Sequence, residues 1–479
     1  MSRANVLLNC LGFAALTGYL VHLVNQFVPE PYMDEKFHVA QAQAYCRGDF
    51  AYWDPKLTTP PGLYILSNFL LYPLRWLPAT LGGVNNAWWC SSTAALRYTN
   101  WFILVLLYGV IVAVLRERHP GQPSSRLFLE AWSVTSFPVL YFVSLLYYTD
   151  AGSTLFIVLG YYGALRRRHG WAALSCLVSL TFRQTNAVWT ALVAVTALLQ
   201  EFNQLAGVEP AARKEVCLVR ASQLNIYYEG IRHVRSVGAA LWRHRVNLWA
   251  PLVPYLLVET AFGAFLVAND GIVLGDRAHH VAGLHFPQIY YCAAFLSTIA
   301  APLLFRLNHP VGFLTYTAKY LRSVRFILLS LLLIIGTAYS IYRFTYEHPF
   351  ILSDNRHYSF YVWKNIYRAH PTVRYALVPC YFFGFWLLSG ILATQQTLLW
   401  CLTYLGCTAL TLIPSPLFEF RYFILPFYFF RLGIPLPKPH RTWYELVWYT
   451  LINYATLYIF CMRPFEWPQE PGVWQRFMW

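Results

Sequence analysis

Long apolar runs separated by short polar connections account for most of this 479-residue chain. A helix of about 17 to 22 apolar residues, rising roughly 1.5 Å per residue, crosses the roughly 30 Å hydrocarbon core of a bilayer. The pattern predicts helical spans at residues 4–27, 95–115, 127–147, 153–165, 171–182, 186–200, 247–268, 286–305, 326–343, 375–393, 397–413, 422–434 and 445–462. The short spans, such as 171–182 and 422–434, are typical of half-membrane or broken helices inside a bundle.

The composition agrees with this pattern, because 57% of the residues are hydrophobic and only 12% are charged. A water-soluble domain carries roughly 25% charged residues. We therefore predict one all-α integral membrane domain over residues 1–479, a polytopic helical bundle with about 12 to 14 transmembrane helices. The formal net charge of +15 does not indicate nucleic-acid binding, since Lys and Arg cluster in short connections and reflect orientation in the membrane.

The connections divide into two classes by charge. If the run 4–27 is a retained signal anchor with a cytosolic N-terminus, strict alternation places the Lys- and Arg-rich connections on one side, including the basic loop 201–246. The opposite side receives the loops 28–94, 148–152, 269–285, 344–374 and 414–421 and the turn at Arg183. Nearly every dense polar cluster falls on that second side, so we expect the chemistry to face the lumen or the exterior.

Several familiar kinds of site are missing from the sequence. The ten cysteines show no CxxC or ligand-like spacing, so we predict neither a zinc site nor a disulfide framework. His279, His280 and His285 lack metal-typical spacing, and we expect no metal and no cofactor. No nucleotide-binding motif is present, so the donor of any transfer reaction should itself arrive through the membrane.

The first polar cluster follows the first span and contains Asp34, Glu35 and His38. At helical spacing Asp34 and His38 share a face while Glu35 points elsewhere, so one carboxylate can act as a general base while its neighbour orients or binds. The alternative is that both acids only cap an interfacial helix that begins after Pro31, where negative charge is favoured.

The second cluster contains Trp53 and Asp54, just before a proline-rich entry into another apolar segment. An indole ring can stack on a sugar ring while a carboxylate accepts its hydroxyl protons. The alternative is that Trp53 is an anchor at the membrane interface.

The third cluster joins Asp150 to the turn that contains Arg183, Gln184 and Asn186. Charges between apolar helices are costly unless they are paired, so Asp150 is expected to pair with Arg183. These four residues could bind sugar hydroxyls, or the pair could be purely structural.

The fourth cluster contains Asp354, Asn355, Arg356 and His357 and is the densest mixture of polar and aromatic groups in the chain. Arg356 and His357 could hold a phosphate, and Asp354 and Asn355 suit sugar hydroxyls. The alternative is an ordered lid without substrate contact. Further along, Arg421 could be a third phosphate contact, although an acid and a base two residues apart are more often a structural pair.

These motifs together resemble one family. The strings that carry the resemblance are Pro31–Glu35, Phe37–His38, Gln41–Gln43, Trp53–Pro55, Thr58–Pro60, Leu63–Tyr64, Tyr147–Ser153, Phe182–Asn186, Gly271–Arg277, Asp354–Tyr358, Leu417–Pro426 and Gln475–Trp479. They follow in order along nearly the whole chain. The sequence is therefore similar to the endoplasmic-reticulum glucosyltransferases that use dolichyl phosphate glucose to add the terminal glucose to the dolichol-linked oligosaccharide. Only the loop 201–246 looks peculiar to this chain.

The resemblance implies a GT-C fold, with luminal loops forming the active site in the endoplasmic-reticulum membrane. It implies inverting transfer of glucose from dolichyl phosphate glucose to the 2-hydroxyl of the terminal glucose of Glc2Man9GlcNAc2-PP-dolichol, the final step of assembly before N-glycosylation. It also implies that the catalytic acid lies in the first luminal loop, which favours Asp34 as the base with Glu35 or His38 orienting. Arg356, His357 and Arg421 are then expected to stabilise the departing phosphate.

Two other function classes were weighed against this one. A transporter or flippase usually reveals inverted repeats and charges along both access routes, and neither pattern is present here. A non-enzymatic membrane partner protein would tolerate substitution throughout the polar clusters.

Overall fold

The computed structural model describes residues 3–72, 92–208, 218–224, 226–306 and 308–479. In chain order its helices are α1 (Arg3–Phe27), α2 (Glu35–Cys46), α3 (Gly62–Leu71), α4 (Thr93–Arg118), α5 (Ser124–Thr135), α6 (Pro138–Val143), α7 (Asp150–Leu165), α8 (His169–Leu180), α9 (Asn186–Val208), α10 (Ile226–Arg243), α11 (Arg245–Ala268), α12 (Pro287–Ile299), α13 (Ala301–Leu304), α14 (His309–Tyr320), α15 (Val324–Phe344), α16 (Pro349–Ser353), α17 (Tyr358–Val362), α18 (Val373–Ala376), α19 (Val378–Ala393), α20 (Leu398–Leu412), α21 (Ile424–Gly433) and α22 (Pro439–Met462). One antiparallel hairpin follows, formed by β1 (Phe465–Trp467) and β2 (Glu470–Gln475).

The chain forms two compact units. Unit 1 consists of Met1–Glu215, Gly238–His280 and Tyr449–Arg476, and unit 2 of Val216–Val237, Val281–Trp448 and Phe477–Trp479. Each unit is described by itself below. The predicted loop 28–94 and the third cluster fall in unit 1, whereas the predicted loop 344–374 falls in unit 2.

The prediction of an all-α polytopic membrane protein is confirmed. Six helical segments within the described ranges are individually long and apolar enough to cross a bilayer, namely Asn5–Phe27, Thr93–Arg118, Asn186–Val208, Arg245–Ala268, Val324–Phe344 and Val373–Ala393. Shorter apolar helices, among them α8 and α20, account for other predicted spans. The segments 171–182 and 422–434, predicted to be short, correspond to α8 and α21.

Two predicted spans are broken by proline. The span 127–147 is divided into α5 and α6, because Pro138 has no N–H and disfavours a helical conformation at Phe137, whose ψ is 119°. The side-chain amide of Asn453 donates a 2.9 Å hydrogen bond to the Ser136 carbonyl at this break. The span 286–305 is divided in the same way ahead of Pro302, which lies in the first turn of α13.

Three features of the fold were not predicted from the sequence. The predicted loop 28–94 contains α2 and the apolar helix α3, and the basic loop 201–246 contains the amphipathic helix α10. The third feature is a disulfide at Cys46, the last residue of α2, whose partner is outside the described residues. The prediction that the chain has no disulfide framework is wrong at this position, because pairing depends on tertiary proximity rather than on a sequence motif.

In unit 1, the helices α7 and α8 form a hairpin with very close backbones. A Cβ added at Gly160 would lie 2.6 Å from the Cys176 sulfur, and one at Gly163 would lie 2.9 Å from the Ala172 Cβ. Two helices approach this closely only where small residues face each other, which is the usual basis of helix association in lipid. This close packing of α7 on α8 therefore holds both ends of the hairpin in place. Both ends carry charged residues.

The deepest charged contact of unit 1 joins α2 to α4. Glu35 and Arg97 are fully buried, and two hydrogen bonds of 2.8 and 2.6 Å join the guanidinium to the two carboxylate oxygens. The same carboxylate accepts backbone hydrogen bonds from Tyr32 at 3.0 Å and from Tyr147 at 2.7 Å. Each carboxylate oxygen thus has two donors.

The remaining donors of Arg97 hold the chain between α1 and α2. Its guanidinium donates to the carbonyls of Val28 at 2.6 Å and Glu30 at 3.1 Å, and to the side chain of Asn25 at 3.1 Å. A buried charge is tolerated only when its hydrogen-bonding capacity is met, and this one is met on several sides. The pair consequently fixes the segment that connects the first two helices.

Unit 2 has a comparable buried pair. Arg431 in α21 and Glu445 in α22 are buried, with nitrogen–oxygen distances of 2.9 to 3.2 Å. The rings of Trp400 and Tyr404 stack in parallel with centroids 5.7 Å apart, and Trp400 packs against Gly433. The pair lets the fully buried helix α21 carry an arginine without leaving an unmatched charge.

We predict that Glu35→Gln strongly destabilises the protein. The variant leaves the Arg97 charge buried without a matching anion, and breaking a buried pair in this way costs about 3 to 5 kcal/mol. Thermal unfolding in detergent micelles should show a lowered midpoint and a loss of monodisperse protein. The matched control is Glu117→Gln, because the Glu117–Arg166 pair is solvent-exposed and its loss should leave the midpoint unchanged. Equal stability of Glu35→Gln and the parent would contradict the structural role of the pair.

Candidate active site

Asp34 lies at the N-cap of α2, next to the buried pair. Its backbone is already helical, with φ −62° and ψ −22°, and its side chain accepts no capping hydrogen bond from the helix. A capping aspartate normally adopts an extended conformation and accepts a hydrogen bond from the second or third helical amide. Capping therefore does not account for the half-buried Asp34 carboxylate.

The residue before Asp34 has an unusual backbone. Met33 has a φ of 54°, in the left-handed region that residues other than glycine seldom adopt. Such strain costs roughly 1 to 3 kcal/mol and persists only where the surroundings enforce it. Here the amide of Tyr32 is held by the Glu35 carboxylate on the other side of Met33, so the turn that presents Asp34 is fixed from both flanks.

The C-terminal strand also fixes this turn. The Tyr32 hydroxyl accepts a 2.7 Å hydrogen bond from the Arg476 amide and donates one of 2.8 Å to its carbonyl. The buried Arg476 guanidinium in turn donates to the carbonyls of Phe27, Phe460 and Cys461. The end of α1, the end of α22 and the Asp34 turn are therefore joined through one residue.

His38 lies one helical turn after Asp34 and is buried. Its Nδ1 is 2.7 Å from the hydroxyl of Tyr64 in α3, and its ring makes an edge contact with Tyr148. The hydroxyl contact fixes the orientation of the imidazole. The Glu35 carboxylate is directed into the protein and held by Arg97, whereas a joint role of Asp34 and His38 stays a prediction.

Trp53 and Asp54 lie in a loop held by the side chain of Gln41. The Gln41 amide donates to the Tyr52 carbonyl at 2.7 Å and accepts from the Asp54 amide at 2.9 Å. Trp53 packs beside Tyr64 in the same apolar cluster that contains Phe182. Its indole N–H is buried and has no hydrogen-bond partner among the described residues.

The predicted pair of Asp150 and Arg183 forms, with a nitrogen–oxygen distance of 2.8 Å. One oxygen of the buried Asp150 carboxylate, Oδ2, and the Nε of Arg183 have no hydrogen-bond partner among the described residues. A buried polar group without a partner costs roughly 1 to 3 kcal/mol. Together with the Trp53 indole N–H, these two atoms are three of the several buried polar atoms in unit 1 that have no hydrogen-bond partner among the described residues, and they suit hydroxyl groups of a ligand.

Gln184 and Asn186 are engaged by the protein itself. The Gln184 amide donates to the carbonyls of Thr58 at 2.7 Å and Ile272 at 3.0 Å. The Asn186 amide donates to the Ser153 hydroxyl at 2.9 Å and to the Ser179 carbonyl at 3.1 Å. Both side chains therefore hold neighbouring segments of unit 1 together, and their part in sugar binding stays a prediction.

The loop before the histidines packs on the Trp53 loop. The amide of Leu274 donates to Thr58 and that of Asp276 to Pro55, and a side chain at Gly275 would collide with the Pro55 and Leu57 carbonyls. His279 and His280 both contact Asp276. Among the described residues no group of three or more potential ligands is placed to hold a metal ion. The first, second and third clusters and this loop thus meet within unit 1.

In unit 2, Asp354 and Arg356 form a bidentate pair. The distances are 2.8 Å from Nε to Oδ1 and 2.7 Å from the terminal nitrogen to Oδ2, and the Arg356 amide also donates to Oδ1 at 3.0 Å. Burial by itself opposes ionisation of Asp354, but the hydrogen bonds from Arg356 and the nearby His357 outweigh it and lower the pKa of Asp354. Asp354 is therefore an anion at neutral pH, and Asn355 lies between the two partners.

The last residues of the chain dock on this segment. His357 and Met478 form a parallel bridge, in which Tyr358 donates to the Met478 carbonyl at 3.0 Å and Met478 donates to the Arg356 carbonyl at 2.9 Å. Nδ1 of His357 is 3.1 Å from the Trp479 carbonyl oxygen. The Arg356–His357 segment is therefore held in an ordered position within unit 2.

Arg421 forms the local pair that its spacing suggested. Its Nε and terminal nitrogen lie 3.1 and 3.0 Å from Oε2 of Glu419. The neighbouring Phe420 contacts the Trp479 ring, with centroids 5.5 Å apart. The structural interpretation of the Glu419–Arg421 pair thus has direct support, and a phosphate contact for Arg421 stays a prediction.

Three residues that shape the site were missed from sequence. Arg97 could have been found, because an arginine in the first turn of an apolar helix demands a buried partner. Tyr64 and Arg476 offered no comparable indication. Their contacts with His38 and Tyr32 span 26 and 444 residues and exist only in the folded chain.

Within unit 1, arginines are concentrated at the C-terminal ends of α4 and α7. The helix α4 carries Arg97 in its first turn and Arg116 and Arg118 in its last, and its 26 residues span about 39 Å. The helix α7 likewise begins at Asp150 and ends at the turn containing Arg166–Arg168. The predicted separation of the polar clusters from the orientation charges across the membrane stays a prediction.

Comparison with known proteins gives a consistent result. Residues 28–432 match the DIE2/ALG10 family. A curated relative from Mus musculus is 37% identical over 99% of this chain and 96% of its own length. Relatives from Arabidopsis thaliana and Yarrowia lipolytica are 34% and 33% identical, over 98% and 95% of this chain and 99% and 94% of their own lengths. All three are named Dol-P-Glc:Glc(2)Man(9)GlcNAc(2)-PP-Dol alpha-1,2-glucosyltransferase. No solved structure matches the chain.

We predict that Asp354→Asn lowers stability in a pH-dependent way. Since the folded state lowers the pKa of Asp354, its ionised form stabilises the fold above the unfolded pKa of about 3.9, and this stabilisation is lost as the pH falls through the folded pKa. The variant should unfold at a lower temperature than the parent at neutral pH. The difference between the two unfolding midpoints should narrow below about pH 4. Thermal unfolding across a pH series measures this.

The control is Asp49→Asn, which removes an exposed carboxylate. The thermal unfolding midpoint of Asp49→Asn should differ little from that of the parent, and this difference should not vary with pH. A constant gap between Asp354→Asn and the parent down to the lowest pH would show that the Asp354 charge does not stabilise unit 2.

Proposed function

Because the chain belongs to the DIE2/ALG10 family, we propose that it is a dolichyl-phosphate-glucose-dependent alpha-1,2-glucosyltransferase. Its substrates are dolichyl phosphate glucose and Glc2Man9GlcNAc2-PP-dolichol, and it adds the last glucose of the lipid-linked oligosaccharide. The observation that carries the proposal is the similarity to enzymes of this name over nearly the whole chain. The protein is multi-pass in the membrane, as both substrates require.

We propose that the reaction is a single displacement with Asp34 as the general base. The 2-hydroxyl of the acceptor glucose attacks the anomeric carbon of the donor glucose, and its proton passes to the Asp34 carboxylate. The carbon–oxygen bond to phosphate breaks, and dolichyl phosphate leaves with its negative charge. The fixed turn that presents Asp34, with Met33 held in a left-handed conformation between Tyr32 and Glu35, supports this role.

The neighbouring groups are assigned supporting roles. Glu35 is the anchor rather than the base, since both of its oxygens are occupied by Arg97 and by backbone amides. His38 is the positioning residue that spacing and its hydroxyl contact favour. The buried, unsatisfied atoms of Trp53, Asp150 and Arg183 support hydrogen bonding to sugar hydroxyls, and Asp54 stays a candidate beside them.

For the donor phosphate we propose Arg356 and His357 in unit 2. Asp354 holds the Arg356 guanidinium in a fixed orientation through Nε and one terminal nitrogen, and a guanidinium is well suited to bidentate contacts with a phosphate. The same segment, with Asn355, is ordered by Met478 and Trp479, which supports a binding role over a mobile loop. Stabilising charge on a departing phosphate is a recognised source of rate enhancement.

We also propose that the Asp34 end of unit 1 faces the lumen of the endoplasmic reticulum. The arginine-rich ends of α4 and α7 then face the cytosol, as the positive-inside rule expects. The disulfide at Cys46 supports this orientation, because disulfides persist in the oxidising lumen and are rare in the cytosol. The named relatives reported above are transferases, which favours this function over a transporter or a non-enzymatic partner.

We predict that Asp34→Asn folds normally but transfers glucose at least about a hundredfold more slowly, the usual contribution of a positioned general base. Purified protein is assayed with dolichyl phosphate glucose and the diglucosylated acceptor lipid, and the product is measured by mass spectrometry. The control Asp49→Asn removes an acid just beyond α2 and should retain parental activity.

Near-parental activity of Asp34→Asn would exclude Asp34 as the base. If the parent protein itself transferred no glucose, the transferase function would be rejected. The transporter and the non-enzymatic partner would then be the remaining alternatives. Thermal unfolding of each variant separates lost chemistry from lost structure, which matters because Glu35 variants should fail through instability.

The proposed orientation is tested by labelling introduced cysteines in sealed microsomes. Lys56→Cys and Lys364→Cys, both at exposed positions, should react with a membrane-impermeant maleimide only after permeabilisation. Arg116→Cys, at the arginine-rich end of α4, should react in sealed vesicles. Labelling of the parent chain gives the background from its own cysteines. Labelling of Lys56→Cys and Lys364→Cys from opposite sides would contradict the proposed luminal site.

A further inference from the structure

A cavity at the arginine-rich end of unit 1 is not used by the proposed reaction. It has a volume of about 380 Å³ and lies between α7 and α8, at the end of the hairpin opposite Asp150 and Arg183. The lining residues are Leu159, Tyr162, Gly163, Arg166, Arg168, Trp171 and Ser175. Cavities of about 300 Å³ and above are large enough for a small ligand.

Two guanidinium groups give the cavity its charge. Arg166 donates a 3.0 Å hydrogen bond to Glu117, so part of its charge is balanced. No acidic side chain within the described ranges lies within ion-pair distance of Arg168. Arg167 is turned away by its left-handed backbone, with φ 55°, and its side chain pairs with Glu201 instead. The cavity thus presents more positive than negative charge, which suits an anion.

The surface that continues from the cavity is apolar. Trp171 is 72% exposed, and Leu174 and Leu177 on the same face of α8 are 48% and 40% exposed. Exposed residues at this spacing form a stripe along the helix. In a chain that crosses the membrane, such a stripe faces the acyl chains of lipids, and a Trp at its end lies at the headgroup level.

We propose that this cavity binds one anionic phospholipid of the leaflet on that side. The phosphate lies between Arg166 and Arg168, the glycerol region contacts Trp171 and Tyr162, and an acyl chain follows Leu174 and Leu177. A free phosphate would use the arginines but gain nothing from the apolar stripe. The combination of both features on one short hairpin is what favours a lipid. The proposal concerns the end of unit 1 opposite Asp34 and does not depend on glucosyl transfer.

The test compares lipid retention by matched variants. Protein is reconstituted in nanodiscs of phosphatidylcholine with a minor fraction of phosphatidylserine, and retained lipids are counted by native mass spectrometry. The parent should retain one phosphatidylserine in preference to phosphatidylcholine. Arg168→Gln should reduce that preference roughly fivefold, the effect of one arginine near a lipid surface. Because Arg168 makes no ion pair within the described ranges, the thermal unfolding midpoint of Arg168→Gln should equal that of the parent.

The matched control is Arg116→Gln, which removes the same charge from an exposed position at the same end of unit 1 but outside the cavity. It should retain the parental preference. An equal loss in Arg116→Gln and Arg168→Gln would overturn the proposal, since it would indicate surface charge without a site. Displacement of phosphatidylserine by millimolar inorganic phosphate would also overturn it, because the apolar stripe would then contribute nothing.

Discussion

The buried pair of Glu35 and Arg97 is the constraint on which the candidate site of unit 1 depends. Two opposite charges removed from water must satisfy each other and all of their remaining hydrogen-bonding atoms. Here that requirement brings the end of α1, the start of α2, α4 and the backbone at Tyr147 to one point. The strained residue Met33 can persist only because this arrangement fixes the chain on both sides of it. Asp34 is consequently presented from a rigid turn, as a positioned base requires.

Two charged pairs of unit 1 differ in how completely the protein satisfies their hydrogen-bonding atoms. Glu35 and Arg97 have partners for nearly all of their capacity and serve structure. Asp150 and Arg183 pair with each other yet each leaves one buried polar atom without a described partner. Trp53 adds an indole N–H in the same condition. The incomplete group is the one that fits a polyhydroxylated ligand, because hydroxyl groups can both donate and accept.

Charge is also unevenly distributed along the helices of unit 1. The mixed clusters of unit 1 lie where α4 and α7 begin, and a concentration of arginines lies where the same helices end. Orientation accounts for the presence of arginines at that end. It does not account for the cavity and the exposed apolar stripe beside Arg166 and Arg168, which is why those features point to a bound lipid. The same residues can thus set topology and bind the surrounding membrane.

The sequence by itself determined the class of the protein, most of its helices and the family to which it belongs, because hydrophobic length and long motifs are local properties. It also paired Asp150 with Arg183. Only the tertiary structure distinguished the adjacent acids, since Asp34 and Glu35 differ by a partner 62 residues away. The disulfide of Cys46 and the contact between Tyr32 and Arg476 were likewise beyond a linear pattern. Such long-range partners are fixed by how helices pack, and packing is a property of the whole chain.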